Sequence, residues 1–321
     1  MRRIAATVIT LALLAGMAMA QDTIRIGVQL ELSGRMAVTG NDTLYGMEVA
    51  LGLQPEVLGL PVELSVCDNA STVEGAVACA NRFVDEGVVA VLGSYSSSHS
   101  IPAADVLQAA GIVMVATGAT NPAVTQAGDY IFRVPYTDEF EGTVAAQYAY
   151  NDLGARSVAI FRQQDDDYSV GLAGFFEDGL VRLGGDTLVL DYAANTVDFT
   201  AQINNMRSFQ PDLIYLSAFC AENASLVPQL RQQGFTQPIL GGAAMDDSQC
   251  PDGGGAVFDG IEFFSFGEPA VLTGAAADRA REFHAAFSQQ HSDDHFTGFT
   301  LSGADAYRVV WQAINDAGSY D

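Results

Sequence analysis

The chain has 321 residues, of which 49% are hydrophobic and 17% charged, a composition that is typical of a folded α/β protein and excludes extended disorder. Its 39 acidic residues outnumber its 14 basic ones, for a formal net charge of −25. Binding of nucleic-acid phosphates needs a basic face, so this balance argues strongly against a nucleic-acid partner.

The N-terminus has the features of a secretory signal peptide, in the expected order. Arg2 and Arg3 precede an apolar run from Ile4 to Leu14, and Ala18-Met19-Ala20 precedes Gln21. Residues 1–20 are therefore predicted to be a signal peptide, and the mature protein is expected to be exported. The apolar run is shorter than the roughly 18 residues that a membrane span needs. The remaining length predicts two domains, at roughly 100–200 residues per domain.

Four cysteines fall into an early pair, Cys67 and Cys79, and a late pair, Cys220 and Cys250. Disulfides can form in an exported protein, and the spacing favours Cys67–Cys79 and Cys220–Cys250, although four cysteines allow three connectivities. A zinc site is disfavoured because the sequence contains no CxxC.

From Thr23 onward, short apolar runs alternate with amphipathic segments, which indicates strands and crossover helices of parallel sheets. Helical spacing fills Val73–Val84, Gly142–Leu153 and Ala275–Gln290. Extended runs at 132–136 and 263–267 are candidate seams between two sets of βα units. The candidate strands are Ile24–Leu30, Val62–Val66, Val88–Leu92, Ile112–Val115, Ser157–Phe161, Thr187–Leu190, Leu213–Leu216 and Pro238–Leu240.

Polar loops follow several of these strands. In parallel sheets ligands bind at the carboxyl ends of the strands, where helix N-termini offer free N–H groups. Polar loops from both halves therefore predict a binding cleft between two lobes. The loops concerned are Leu32–Gly34, Gly93–Ser100, Thr117–Pro122 and Gln163–Tyr168.

The Gly93–Ser100 loop contains five serines and His99. A nucleophilic serine would need the G-x-S-x-G pattern and a base that can approach it, but the second glycine is missing and His99 is too close to Ser97 in sequence. A serine hydrolase is thus disfavoured. One of the serines is expected to cap a helix that starts at Ile101-Pro102, an arrangement that also forms a small carboxylate site.

Other candidate sites are weaker. His291 and His295 are four residues apart and would lie on one face of a helix, where they could bind a metal ion together. The Ser-Asp-Asp between them indicates a solvated turn instead. Asp165–Asp167 lacks the spacing of a calcium loop and is interpreted as exposed acid at a strand end. No glycine-rich phosphate motif occurs, so neither a metal nor a nucleotide cofactor is expected.

Several of these motifs together resemble the substrate-binding proteins of ABC transporters, of the leucine/isoleucine/valine-binding type. The motifs are Leu32-Ser33-Gly34 with Gly40, Ala76–Asn81 leading into Val91-Leu92-Gly93, Ser96-Ser97-Ser98, and above all Thr117–Pro122. The resemblance runs through nearly all of the mature chain. It implies a type I periplasmic binding fold, with two Rossmann-like lobes whose parallel sheets are joined by hinge strands. Lobe 1 would comprise residues 21–136 and 266–321, and lobe 2 residues 137–265.

The resemblance also implies a ligand site. Ser97 would hold the ligand carboxylate with backbone N–H groups of its loop, Gly118 would offer its carbonyl to an ammonium, and Thr120 its hydroxyl and N–H. Tyr168 would close over the ligand from lobe 2, beside the aromatic wall of Phe219. The site residues expected are Ser97, Gly118, Ala119, Thr120, Tyr168, Phe219 and Asp246.

Two departures from the family pattern bear on the ligand. Family members place an acid after the strand that ends at Leu240, where this sequence has Ala243. Asp246 or Glu222 could replace it; otherwise the ligand would be an amide or an aromatic or aliphatic acid without an ammonium. Family members also continue beyond the helix around Trp311 with further strands and a third hinge crossing.

The sequence thus predicts a monomeric periplasmic protein that binds a small carboxylate-bearing solute, an amino acid or a relative of one, and delivers it to an inner-membrane permease. No catalysis is expected. A sensor that presents its closed form to a receptor would have the same site and remains an alternative.

Overall fold

A computed structural model describes residues 23–248, 250, 255–267 and 272–320. The predicted signal peptide, residues 1–20, lies outside the described residues. Within these ranges, no helix has both the length and the apolar character needed to cross a membrane.

The first sheet, which defines lobe 1, has six strands in the order β2-β3-β1-β4-β5-β6. All neighbours pair in parallel except β2, which is antiparallel to β3. The strands are β1 Ile24–Leu30, β2 Glu56–Val57, β3 Leu60–Asp68, β4 Ala90–Leu92, β5 Val113–Ala116 and β6 Ile131–Arg133.

The second sheet, which defines lobe 2, has five parallel strands in the order β11-β10-β9-β7-β8. Every residue of β9 is buried, as expected for a central strand covered on both faces by helices. The strands are β7 Ser157–Gln163, β8 Asp186–Tyr192, β9 Leu213–Ser217, β10 Ile239–Gly241 and β11 Glu262–Phe263.

Helices connect the strands and cover the sheets. The pairs α1 with α10, α2 with α3, and α5 with α6 lie side by side, so the last helix returns to lobe 1. The helices are α1 Ala37–Leu53, α2 Val73–Glu86, α3 Ser97–Ala110, α4 Ala123–Gln126, α5 Asp138–Asn151, α6 Asp167–Leu183, α7 Thr200–Phe209, α8 Cys220–Gln232, α9 Gly274–Phe287 and α10 Gly298–Ala317.

The predicted two-lobe α/β architecture is confirmed, and all eight candidate strands are present within one or two residues. The chain passes from sheet 1 to sheet 2 between β6 and α5 and leaves sheet 2 after β11. The precise lobe boundaries at 136/137 and 265/266 stay a prediction. Both predicted disulfides are confirmed, with Cα–Cα distances of 5.8 Å for Cys67–Cys79 and 5.3 Å for Cys220–Cys250.

Two local predictions were wrong. The helix after the serine loop begins at Ser97 and not at Ile101, so Pro102 lies inside α3; its N-cap residue, Ser96, makes no side-chain capping bond. Asp166 is not exposed: it is buried and caps α6 by accepting a hydrogen bond from the Ser169 N–H at 2.9 Å.

Candidate functional site

Both sheets reverse their strand order at the cleft between the lobes. In lobe 1 the order turns between β1 and β4, and in lobe 2 between β7 and β9. Loops that leave neighbouring strands in opposite directions open a crevice at such a point. The loops after β4, β7 and β9 carry Tyr95–Ser97, Tyr168 and Phe219 to the cleft.

Aromatic rings line most of the cleft. The rings of Tyr95 and Phe219 meet across it with centroids 5.9 Å apart, and Tyr168 and Phe219 lie 5.4 Å apart. In this conformation the cleft has room for about one water molecule. A solute therefore enters only when these rings or the lobes move apart. The lining residues are Tyr95, Ser96, Ser97, Gly118, Tyr168, Phe219, Ala243, Ala244, Phe266 and Phe299.

The lobe 1 wall contains hydroxyl groups at the start of α3. Ser97 lies at the first position of the helix, and its Oγ accepts a hydrogen bond from the Asn121 N–H at 3.1 Å. The Ser96 hydroxyl is buried, lines the cleft and has no hydrogen-bond partner among the described residues. The free N–H groups of the helix start are a favourable place for a carboxylate.

Gly118, in the loop after β5, lines the cleft on the same wall. A Cβ at this position would come within 2.9 Å of the rings of both Tyr95 and Phe299. Any larger residue would therefore displace the aromatic wall, so the close approach of the backbone explains the glycine.

A buried carboxylate, Glu31, supports the serine loop from behind. Its oxygens accept hydrogen bonds from the Ser94 hydroxyl, the Tyr95 and Ser96 N–H groups and the Asn69 amide, and one lies 2.7 Å from His99 Nδ1. Burial raises the pKa of Glu31, but His99 and the other donors outweigh it and hold this pKa below its usual value. Glu31 is thus an ionised group that fixes the loop.

This network does not form a catalytic triad. Ser94 donates to Glu31 rather than to His99, and Ser97 accepts from a backbone N–H. Among the described residues, no serine of the loop is hydrogen-bonded to the His99 ring.

Two buried carboxylates on α5 lie at the lobe 2 wall. Glu141 Oε1 accepts a hydrogen bond from the N–H of Ala243, which lines the cleft, at 2.9 Å. Within the described part of the chain, Oε2 of Glu141 and both oxygens of Asp138 have no hydrogen-bond partner. Burial raises the pKa of Asp138 to about 7, against the opposing effect of the nearby Thr120 hydroxyl. Burial and then the charge of Asp138 raise the pKa of Glu141 to about 8, against the opposing effects of the Ala243 N–H and the nearby Tyr136 hydroxyl.

The two acids that could have replaced the missing one at Ala243 are committed elsewhere. Glu222 lies 3.4 Å from the Arg35 guanidinium and accepts from the Asn195 N–H at 3.1 Å. Asp246 accepts from the Gly298 N–H at 2.8 Å and from the Ser265 hydroxyl. Neither residue lines the cleft.

Several contacts hold the lobes together over the cleft. Arg35 of lobe 1 pairs with Glu222 of α8, and its guanidinium lies 4.9 Å from the centre of the Phe219 ring. The Ser98 hydroxyl donates to Asp166 at 3.0 Å and accepts from the Asp167 N–H at 2.8 Å. These bonds link the start of α3 to the start of α6, so this is a closed conformation.

The structure brings four of the seven predicted site residues to the cleft surface: Ser97, Gly118, Tyr168 and Phe219. Thr120 is buried, its hydroxyl near Asp138. Ala119 packs into the lobe 1 core and its carbonyl accepts from Arg133 at 3.0 Å, while Asp246 bonds to the start of α10.

The sequence did not mark Ser96, Phe266 or Phe299 of the lining as site residues, nor Glu141 beside it. Ser96 belongs to the serine loop, and its burial without a partner is visible only in the folded protein. Phe266 and Phe299 lie outside the polar loops, and nothing in their local sequence marks them.

Comparisons with known proteins assign the chain to a family. The family model described as periplasmic binding protein matches residues 23–321. An amino acid binding protein of Pseudomonas aeruginosa is 31% identical over 82% of this chain and 70% of its own length. A leucine-specific-binding protein of Salmonella typhimurium is 29% identical, over 81% of this chain and 71% of its own length.

Solved structures agree on the type I fold. The leucine binding protein LivK of Thermotoga maritima has a TM-score of 0.88 at 33% identity and covers 93% of this chain and 84% of its own. A Rhodopseudomonas palustris solute binding protein in complex with 4-hydroxybenzoate has a TM-score of 0.84 at 20% identity and covers 92% of this chain and 82% of its own. At that identity the likeness shows the fold alone. The chain belongs to the periplasmic binding protein family, and several of its relatives are of the leucine/isoleucine/valine-binding type that its motifs indicate.

Proposed function

We propose that the protein captures a small carboxylate-bearing solute, an amino acid or a relative of one, in the cleft between its lobes for uptake by an ABC transporter. One observation carries this proposal: the points at which the two sheets reverse their strand order face each other across a single cleft. Aromatic rings line this cleft, and one of its walls offers a helix N-terminus and two serine hydroxyls.

The carboxylate of the solute is assigned to the lobe 1 wall. There the N–H groups of the α3 start and the hydroxyls of Ser96 and Ser97 are available, with Gly118 and Thr120 on the neighbouring loop. The positive end of the helix dipole favours an anion at this place, and the ionised Glu31 fixes the loop without facing the ligand. No basic side chain is among the lining residues, so hydrogen bonds and the helix dipole replace an ion pair.

The apolar part of the solute is assigned to the aromatic rings of lobe 2, Tyr168 and Phe219, and to Phe266 and Phe299. Closure would bury the solute between the two walls and would be held by the Arg35–Glu222 and Ser98–Asp166 contacts. A solute that touches both walls favours the closed state, because only that state offers all of its contacts.

Capture of the solute is expected without turnover, since the family and its structural neighbours are binding proteins rather than enzymes. The family also implies a location outside the cytoplasm. Within that compartment we infer a monomer in the periplasm that passes its solute to an inner-membrane permease.

A second candidate ligand is an aromatic or aliphatic acid without an ammonium. It is favoured by one observation: Ala243 lines the cleft at the position where the resemblance implies an acid, and five of the other lining residues are aromatic.

A thermal-shift screen tests the proposal. The exported protein is unfolded and refolded to remove carried-over solute, then melted with amino acids, their amides and simple carboxylic acids. A ligand that binds only the folded state raises the melting temperature by mass action, by an amount that grows with its concentration. We expect shifts with carboxylate-bearing solutes and none with the matching alcohols or amines. The absence of any shift with a carboxylate-bearing solute would contradict the proposal.

A further inference from the structure

The carboxylates of Asp138 and Glu141 have few hydrogen-bond partners for buried acids. Buried polar groups in folded proteins are nearly always hydrogen-bonded, and exceptions call for an explanation. Among the residues that the structure describes, both oxygens of Asp138 and Oε2 of Glu141 are without a hydrogen-bond partner, although both residues are fully buried. An unsatisfied buried carboxylate costs free energy that a structural role would have removed.

Glu141 lies directly behind the cleft wall, against the backbone of a lining residue. The Ala243 residue whose N–H it binds at 2.9 Å faces the cleft. A Cβ on Gly242 would lie 3.0 Å from Glu141 Oε1 and in contact with the Tyr168 hydroxyl, so the carboxylate and the hydroxyl flank the same point of the wall. The wall here consists of Gly242, Ala243 and Ala244, so its own side chains are no larger than a methyl group and leave this point uncovered.

Glu141 also occupies the part of the site from which an acid is missing. The resemblance to leucine/isoleucine/valine-binding proteins implies an acid for an ammonium at the position of Ala243, and the Glu141 carboxylate lies against the backbone of that same residue. A buried charge is little screened, so a carboxylate at this wall acts strongly on a cation in the cleft.

The groups that face Glu141 are mostly acidic or neutral. Asp138 lies on the same helix and Tyr136 just before it, while Tyr168 and Tyr215 face it from α6 and β9; Arg133 and Asp166 act on Asp138 behind it. The Arg133 guanidinium is committed to backbone carbonyls and to the Thr125 hydroxyl. A cation from outside is therefore the partner that Glu141 lacks.

We propose that Glu141 binds the ammonium group of the ligand in place of an acid at position 243, and that it releases its own proton to solvent when the ammonium arrives. This inference rests on the proposed function and names its ligand class: amino acids rather than acids without an ammonium. In the exchange the neutral carboxylic acid becomes a carboxylate paired with the ligand cation, and one proton passes to the buffer.

Isothermal titration calorimetry of the refolded, exported protein tests this with two probes, L-leucine and 4-methylpentanoate, which is leucine without its ammonium. The variant is Glu141→Gln, whose amide oxygen can still accept from the Ala243 N–H. The matched control is Glu139→Gln, on the same helix turn but exposed.

We expect the wild type to prefer leucine and to release about one proton per leucine at pH 7, measured in two buffers of different ionisation enthalpy. Glu141→Gln should weaken leucine binding about 10- to 100-fold, abolish proton release and leave 4-methylpentanoate binding unchanged. Glu139→Gln should match the wild type. The wild-type proton release decides the question by itself if Glu141→Gln does not fold.

Leucine binding without proton release, or equal leucine affinity of wild type and Glu141→Gln, would overturn the inference. If the wild type binds carboxylic acids but no amino acid, the inference falls and the proposed function stands. If it binds no carboxylate-bearing solute at all, both fall.

Discussion

A glutamate is buried behind each wall of the cleft, and the two environments shift its pKa in opposite directions. Glu31 behind the lobe 1 wall is surrounded by donors and has a lowered pKa. Glu141 behind the lobe 2 wall accepts one backbone hydrogen bond, has the Tyr136 hydroxyl and an acidic residue as neighbours, and has a pKa raised to about 8. Burial is complete for both, so the difference comes from their hydrogen-bond partners.

This contrast separates a structural acid from a recognition acid. Lobe 1 is preorganised, because the ionised Glu31 holds the serine loop whether or not a solute is present. At the lobe 2 wall the partner of Glu141 is left for the ligand to supply. Such a division lets one lobe hold the solute while the other selects it during closure.

The largest effect is expected from removing the structural acid. Glu31→Ala would leave His99, Asn69 and the N–H groups of the serine loop buried without an acceptor. Truncating one member of a buried charged network typically costs about 3–5 kcal/mol, so the free energy of unfolding should fall by that amount. Urea denaturation checks this, with the exposed Glu63→Ala on β3 as control. A loss no larger than that of the control would show that Glu31 is not structural.

The second largest effect is expected in the pH dependence of the free energy of unfolding. Glu141 and Glu31 should contribute to it with opposite signs. A raised pKa means that folded Glu141 keeps a proton that the unfolded chain has lost, so its stabilisation is complete below about pH 4 and lost as pH rises towards 8. Glu31, with its lowered pKa, loses its contribution only as pH falls below the usual carboxyl range.

Denaturation of the solute-free protein from pH 5 to 8 measures this difference. The wild type should lose about 3 kcal/mol through Glu141 alone, and Asp138 adds in the same direction. Glu141→Gln should flatten the profile, whereas Glu139→Gln should retain it. An unchanged slope in Glu141→Gln would mean that this carboxyl is already ionised in the folded protein.

The sequence predicted the fold better than the electrostatics of the cleft. The strand Ile24–Leu30 was predicted with its exact bounds because its mostly apolar run lies between the polar residues Thr23 and Glu31. Such a short run is buried as one strand of a parallel sheet. The start of α3 was misplaced because Pro102 was taken as a mark of the first turn, whereas the helix begins five residues earlier.

The acids of α5 could not be predicted from their local sequence. Thr137 followed by Asp138, Glu139 and Glu141 has the pattern of an ordinary capped, solvated helix start, for which acidic residues are favoured. Only the packing of α5 against α6 and the loop after β10 buries two of these three acids and leaves the third exposed. Asp166, in a run of three acids, was misjudged for the same reason.

The smallest expected effect distinguishes the two serines of the lobe 1 wall. The family resemblance assigns the ligand carboxylate to Ser97, but the Ser97 Oγ accepts from the Asn121 N–H, and the buried Ser96 hydroxyl has no partner among the described residues. Ser96→Ala should therefore weaken binding of a carboxylate solute about tenfold, the worth of one hydrogen bond to a charged group. Ser97→Ala should weaken binding less and lower the free energy of unfolding by about 1 kcal/mol, because the Asn121 N–H loses its acceptor.

Titration calorimetry and thermal melts of the two variants, with the solute that gives the largest thermal shift, decide between the assignments. If Ser97→Ala loses more affinity than Ser96→Ala, the Ser97 hydroxyl turns to the ligand on binding, and the bond to Asn121 belongs to the solute-free state. Equal affinity of both variants and the wild type would leave the carboxylate to the N–H groups of α3, and the lobe 1 wall would then hold its solute through the helix dipole alone.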